Sequence, residues 1–133
     1  MLYLLDSGAL IHAHSFAFNE KDSYFITSKC FNELKSLEAN ALAENALSRG
    51  LLRIVDPCEL AVQNVMDFIE KIKDKKLSGA DISVIALARQ ELDKNVKLTI
   101  ITDDYSLQNA CKLLKIPFES VQTKGIKKAR KFN

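Results

Sequence analysis

A short run of apolar, mostly β-branched residues, Leu98-Thr99-Ile100-Ile101, leads directly into Thr102-Asp103-Asp104 and then into an amphipathic segment. Leu2-Tyr3-Leu4-Leu5 does the same, meeting Asp6 and then Ser7-Gly8-Ala9-Leu10-Ile11. Runs this short and apolar on both faces suit central strands of a parallel sheet, buried above and below. The pattern continues along the chain. Residues 24–27, 52–55 and 118–121 read as further strands, residues 52–55 being closed by Asp56-Pro57. Between them lie helical stretches. One runs from Thr27 or Ser28 to about residue 38, with Phe31, Leu34 and Leu37 on one face. Others cover residues 39–49, stopped by Gly50, then 59–73, a segment opening at Ser78-Gly79-Ala80-Asp81, and 105–114. The segment from Ser78 is apolar over much of its circumference and should be the most buried helix. Strands alternating with helices predict an α/β three-layer sandwich, a parallel sheet of about five strands between helices.

The chain of 133 residues suits one domain spanning residues 1–133, and its 47% hydrophobic and 27% charged residues are an ordinary globular balance. The net charge of +2 is too small to indicate a partner, but it is unevenly placed. Lys124, Lys127, Lys128, Arg130 and Lys131 form a basic C-terminal end, and the remainder carries 14 basic against 17 acidic residues. Such an end reads as a nucleic-acid-binding element or as a solvated tail. Lys71–Lys76 reads as a solvated helix end and turn. Cys30, Cys58 and Cys111 form no CxxC pair and read as buried, reduced thiols of a cytoplasmic protein. No apolar run reaches the roughly 18 residues of a membrane span, and the N-terminus lacks the basic region of a signal peptide. His12 and His14, two apart, would not face one another on a helix and make a poor metal pair. No glycine-rich phosphate loop is present.

The acids carry the functional reading. In an open α/β sheet, sites form beyond the carboxyl ends of the strands. Asp6 ends the first strand and Asp103 and Asp104 follow the fourth, while Asp81 opens the helix leading to the fourth and Glu33 follows the second. If the first and fourth strands are neighbours, Asp6 and Asp104 converge, and Asp81 and Glu33 can close around them. Carboxylates that close repel without a cation, and hard divalent ions prefer oxygen ligands. Each acid also has a purely structural reading. Asp6, Asp81 and Asp104 stand where helix N-caps and helix dipoles favour Asp, Ser78-x-x-Asp81 resembles a capping box, and Glu33 could be a solvated helix residue.

Together these stretches resemble the PIN-domain nucleases, along essentially the whole chain: Leu4-Leu5-Asp6-Ser7-Gly8-Ala9, Cys30-Phe31-Asn32-Glu33-Leu34, Ser78-Gly79-Ala80-Asp81-Ile82-Ser83, and Thr102-Asp103-Asp104. Asp104-Tyr105-Ser106-Leu107-Gln108-Asn109, Ile116-Pro117 and Gly125-Ile126 further resemble the PIN endonucleases that mature the 3′ end of small-subunit ribosomal RNA in archaea and eukaryotes. Those proteins usually continue into a four-cysteine zinc ribbon, which this sequence does not contain. The resemblance implies cleavage of an RNA phosphodiester by a water activated by Mg²⁺ or Mn²⁺. Asp6, Glu33, Asp81 and Asp104 would be the catalytic, metal-binding acids, reaching metal directly or through water. Ser7 and Thr102 would hold those carboxylates in place, unless they serve only as capping and turn residues; Asp103 is their acidic neighbour of undecided role. The implied partners are precursor small-subunit rRNA and the pre-ribosomal particle, with no membrane, and a homodimer stays open. Three other readings compete. A toxin-type PIN ribonuclease would have an adjacent antitoxin gene. A non-catalytic RNA-binding assembly factor would not need the four acids. A phosphoacceptor receiver domain would carry its acidic pair after the first strand, not the fourth.

Overall fold

The computed structural model describes residues 1–11, 16–72 and 77–121. The chain order is β1 (Leu2–Leu5), α1 (Ser7–Ile11), β2 (Ser23–Ile26), α2 (Ser28–Asn32), α3 (Leu37–Ser48), β3 (Leu52–Ile54), α4 (Glu59–Ile72), α5 (Gly79–Asp93), β4 (Leu98–Ile101), α6 (Tyr105–Leu114) and β5 (Phe118–Glu119). The five strands form one parallel sheet in the order β3-β2-β1-β4-β5. This is the alternation expected from the sequence, with the two most apolar strands at its centre. Chain order reverses between β1 and β4, so helices following the two halves fall on opposite faces when crossovers are right-handed. Accordingly α1 packs on α3, while α5 packs on α4 and α6.

The β1–β4 pairing runs Leu2 opposite Leu98 through Leu5 opposite Ile101. One step beyond that register, Asp6 comes beside Thr102, and the Asp6 N–H donates to the Ile101 carbonyl at 3.1 Å. The core is built from Leu4, Leu5, Ile26, Ile100 and Ile101 of the strands, closed by Ile85 and Leu87 of α5 and Leu107 of α6. α5 is buried at Ala80, Asp81 and every position from Ser83 to Ala88, which explains its lack of a polar face.

Three local expectations are corrected. The helix after β2 does not run to residue 38: it ends at Asn32, with Glu33 as its C-cap, and α3 starts at Leu37. The cause is a second cap. The Ser36 hydroxyl accepts from the Ala39 N–H at 3.0 Å, and the Asn40 amide holds the Leu34 carbonyl at 2.8 Å. Leu34 is therefore buried, whereas Leu37 lies 88% exposed rather than beside it. The fifth strand stops at Glu119, because the Val121 N–H bonds the Asp103 carboxylate at 2.8 Å instead of continuing the ladder. Among the cysteines, Cys30 and Cys111 are buried and their thiols are pushed up to about 12 by burial, but Cys58 is exposed just before α4. The expectations for His12 and His14, for residues 73–76 of the lysine-rich turn and for the basic end fall outside the described residues.

Candidate active site

Three carboxylates converge beyond the carboxyl ends of β1 and β4. One oxygen each from Asp6, Asp81 and Asp104 lies within 4.8 Å of the others. Asp6 and Asp81 are buried, and Asp104 is exposed at the rim. The parallel register places Asp6, the first turn of α5 supplies Asp81, and the N-cap of α6 supplies Asp104.

Hydrogen bonds hold each acid. The buried Thr102 hydroxyl donates to Asp6 Oδ2 at 2.8 Å and accepts from the Asp104 N–H at 3.0 Å. The Gln108 side-chain amide holds the Thr102 carbonyl at 2.9 Å. Asp104 Oδ1 accepts from the Ser106 N–H at 2.8 Å. Asp81 Oδ2 accepts from the Ser78 N–H at 3.0 Å, and Ser78 Oγ accepts from the Asp81 N–H at 3.1 Å, completing a capping box. Capping and ligation therefore do not exclude one another here. Asp81 and Asp104 each use one carboxylate oxygen for the cap, and a carboxylate has a second oxygen and further lone pairs to offer.

Burial is the main reason the Asp6 carboxyl is pushed up to about 6; the Thr102 hydrogen bond opposes that rise, and the Asp81 and Asp104 charges add to it. Asp81 is raised as well, first by burial, against the Ser78 backbone hydrogen bond, and further by Asp104 and then Glu33. A cluster of partly desolvated, mutually repelling carboxylates is a poor anion site and a good cation site.

Glu33 stands outside this trio. Its exposed carboxylate accepts from Ser7 Oγ at 2.7 Å, so the residue after Asp6 ties α2 to the cluster. The two hydroxyl residues singled out in the sequence thus each donate to an acid of the set: Thr102 to Asp6 and Ser7 to Glu33. Asp103 is not one of the trio, and its carboxylate accepts from the Val121 N–H.

One supporting pair had no sequence signal beyond Thr27 as a cap. Thr27 Oγ1 and Ser83 Oγ lie 2.8 Å apart, both buried, and Ser83 Oγ donates to the Ala80 carbonyl at 2.6 Å. With the Ser83 proton so occupied, Thr27 is the donor of the pair. The bond locks α2, which carries Glu33, to α5, which carries Asp81. The contact spans 56 residues, so no local pattern announces it.

Comparison with known proteins agrees with this geometry. Residues 3–90 match a family profile described as PIN domain of ribonuclease. The chain is 34% identical over 128 residues to Endoribonuclease Nob1 of Methanothermobacter thermautotrophicus, covering 96% of this chain and 72% of that protein. It is 32% identical over 109 residues to Endoribonuclease Nob1 of Pyrococcus abyssi, covering 81% and 64%. The chain therefore spans roughly two thirds of the length of these relatives. Among solved structures, VapBC2 from Rickettsia felis, bound to a DNA fragment of its promoter, contains a chain that superposes with a TM-score of 0.57. That match covers 90% of this chain and 98% of the other at 13% identity, a likeness of fold.

Proposed function

The chain belongs to the PIN-domain ribonuclease family and is homologous over most of its length to archaeal Nob1 endoribonucleases, and on that footing we propose that it hydrolyses RNA phosphodiesters with a divalent metal ion at Asp6, Asp81 and Asp104. The observation that carries this reading is the convergence of three carboxylate oxygens, two from buried residues, at one point between β1 and β4. An all-oxygen donor set of this kind fits Mg²⁺ or Mn²⁺, and a cation there would offset the burial and mutual repulsion that raise the Asp6 and Asp81 carboxyls. When bound, the ion supplies the charge that activates a water and stabilises the leaving oxygen of the phosphodiester.

The remaining roles belong to the chain. Thr102 fixes the Asp6 carboxylate, and the Ser78 N–H fixes that of Asp81. Ser7 fixes Glu33, which would help hold the ion directly or through water. The basic residues Lys124, Lys127, Lys128, Arg130 and Lys131 contact RNA phosphates. The substrate is the 3′ region of precursor small-subunit rRNA, met within the pre-ribosomal particle. Support for that substrate comes from the Nob1 homology together with the Asp104–Asn109 and Ile116-Pro117 resemblance.

The test is cleavage of a precursor small-subunit rRNA fragment with Mg²⁺ or Mn²⁺ by the wild type, Asp6→Asn and Asp81→Asn. Cleavage by the wild type alone is expected. Equal activity in all three would remove the acids from the mechanism.

A further inference from the structure

A second feature occupies the same edge of the sheet. A cleft of about 340 Å³ lies between α2, α4 and α5. Its walls are Val62 and Met66 of α4, Gly79 and Ile82 of α5, Lys29 of α2, and Asp56 after β3. Lys29, Asp56 and Gly79 lie past the carboxyl ends of β2 and β3 or in the first turn of α5. The cleft therefore sits over strands neighbouring the acids. In the order β3-β2-β1-β4, two strand spacings separate it from the carboxylate cluster, about 10 Å. The first turns of α5 are common to both: Gly79 and Ile82 line the cleft, while Asp81, about a quarter turn from Ile82, points to the acids.

The walls combine apolar faces, a cation and a carboxylate. Val62, Met66 and Ile82 offer apolar faces to a flat ring, and half-exposed Met66 is otherwise an unexplained apolar group on the surface of α4. Lys29 has no ion-pair partner among the described residues, and its Nζ would lie 3.5 Å from a Cβ placed on Gly79, so the cation sits at the α5 end of the cleft, by the helix turn that also carries Asp81. Asp56 is held by the Ser28 N–H at 2.8 Å and the Ser28 hydroxyl at 2.5 Å, one bond to each oxygen. Each oxygen keeps a further lone pair for an N–H of a base.

We propose that this cleft is a nucleobase subsite, holding one base of the single-stranded RNA whose phosphodiester lies at the carboxylates, with Lys29 on the phosphate between the two. This rests on the nuclease reading, and it adds a point where sequence next to the cut can be sensed, since single strands are read by bases splayed into pockets.

The test is an abasic scan. A labelled 12-nucleotide single strand from the substrate, with each base deleted in turn, is bound by the Asp6→Asn chain with Mg²⁺ and followed by anisotropy. One position is expected to weaken binding roughly tenfold, as for the loss of one bound base. Val62→Phe, which fills the cleft from a partly buried wall, is expected to weaken the intact strand by a similar factor and to make that position indifferent. Lys29→Gln is expected to lower the salt slope by about 0.7, one phosphate contact. A flat scan, or abasic and Val62→Phe losses that simply multiply, overturns the subsite. So does a concentration-dependent dimer abolished by Val62→Phe, because a second copy would then occupy the cleft. Cleavage by the Asp6→Asn chain instead counts against the acid site, and a wild type that cleaves while the scan is flat separates the two failures.

Discussion

Asp6 gives the sharpest test of the electrostatics. Its carboxyl lies at about 6 in the folded chain against 3.8 for a solvent-exposed aspartate, chiefly because it is buried. The sign follows from linkage. Below pH 4 the group is neutral in both folded and unfolded chains and costs nothing. As pH rises through the window from about 4 to about 6, the unfolded chain loses its proton first, and the folded state loses stability. Above that window the cost is roughly 3 kcal/mol, about two pH units at 1.36 kcal/mol each. Asp6→Asn removes the charge, and its side-chain oxygen can still accept from Thr102 Oγ1. The new amide N–H₂ must find partners, which offsets part of the gain. Urea denaturation in EDTA should show the variant more stable by about 1–3 kcal/mol at pH 8, with the gap closing toward pH 4. Adding Mg²⁺ or Mn²⁺ at a hundred times its dissociation constant should stabilise the wild type by about 2.7 kcal/mol and the variant by much less. The reasoning fails if the metal-free wild type is the more stable protein at pH 8, or if the gap does not change with pH.

Other outcomes can be checked alongside. Thr102→Val removes the donor to Asp6 and the acceptor for the Asp104 N–H, so it should cost about 1–3 kcal/mol in thermal or urea unfolding. It should also move the pH dependence of metal binding upward, since that hydrogen bond holds the Asp6 carboxyl down; Thr102→Ser should restore both. Thr27→Val breaks the tie to Ser83 and the cap on the Cys30 N–H. It should cost about 1–2 kcal/mol and lower cleavage by loosening Glu33 relative to Asp81, read as a fall in kcat. Lys115 closes α6 at φ 59°, so Lys115→Gly should stabilise by up to about 1 kcal/mol without touching activity. Deleting residues 124–133 removes five cations and should flatten the salt slope of RNA binding by about 3.5, measured by anisotropy between low and moderate salt.

The alternation of short apolar runs with helical stretches was legible because a strand buried on both faces must be apolar throughout, and that requirement is local. The acids at the ends of those runs were legible for the same reason: Asp6 and Asp104 sit where β1 and β4 stop. Boundaries that depend on a distant or competing cap were not. α2 ends early because Ser36 and Asn40 start another helix, and β5 ends early because Asp103, 18 residues away, takes the Val121 N–H. The layer architecture and the acids at the strand ends were therefore legible in the sequence by itself, because periodicity and position at strand ends are properties of neighbouring residues, whereas Ser7 and Thr102 entered only through the resemblance to the PIN nucleases. Only the tertiary structure decided that Asp6, Asp81 and Asp104 meet within 4.8 Å while Glu33 stands one hydrogen bond away through Ser7, and that a cleft opens beside them. Those facts depend on the pairing of β1 with β4 and on the Thr27–Ser83 bond, contacts between residues 96 and 56 positions apart or similarly remote, which no local pattern encodes.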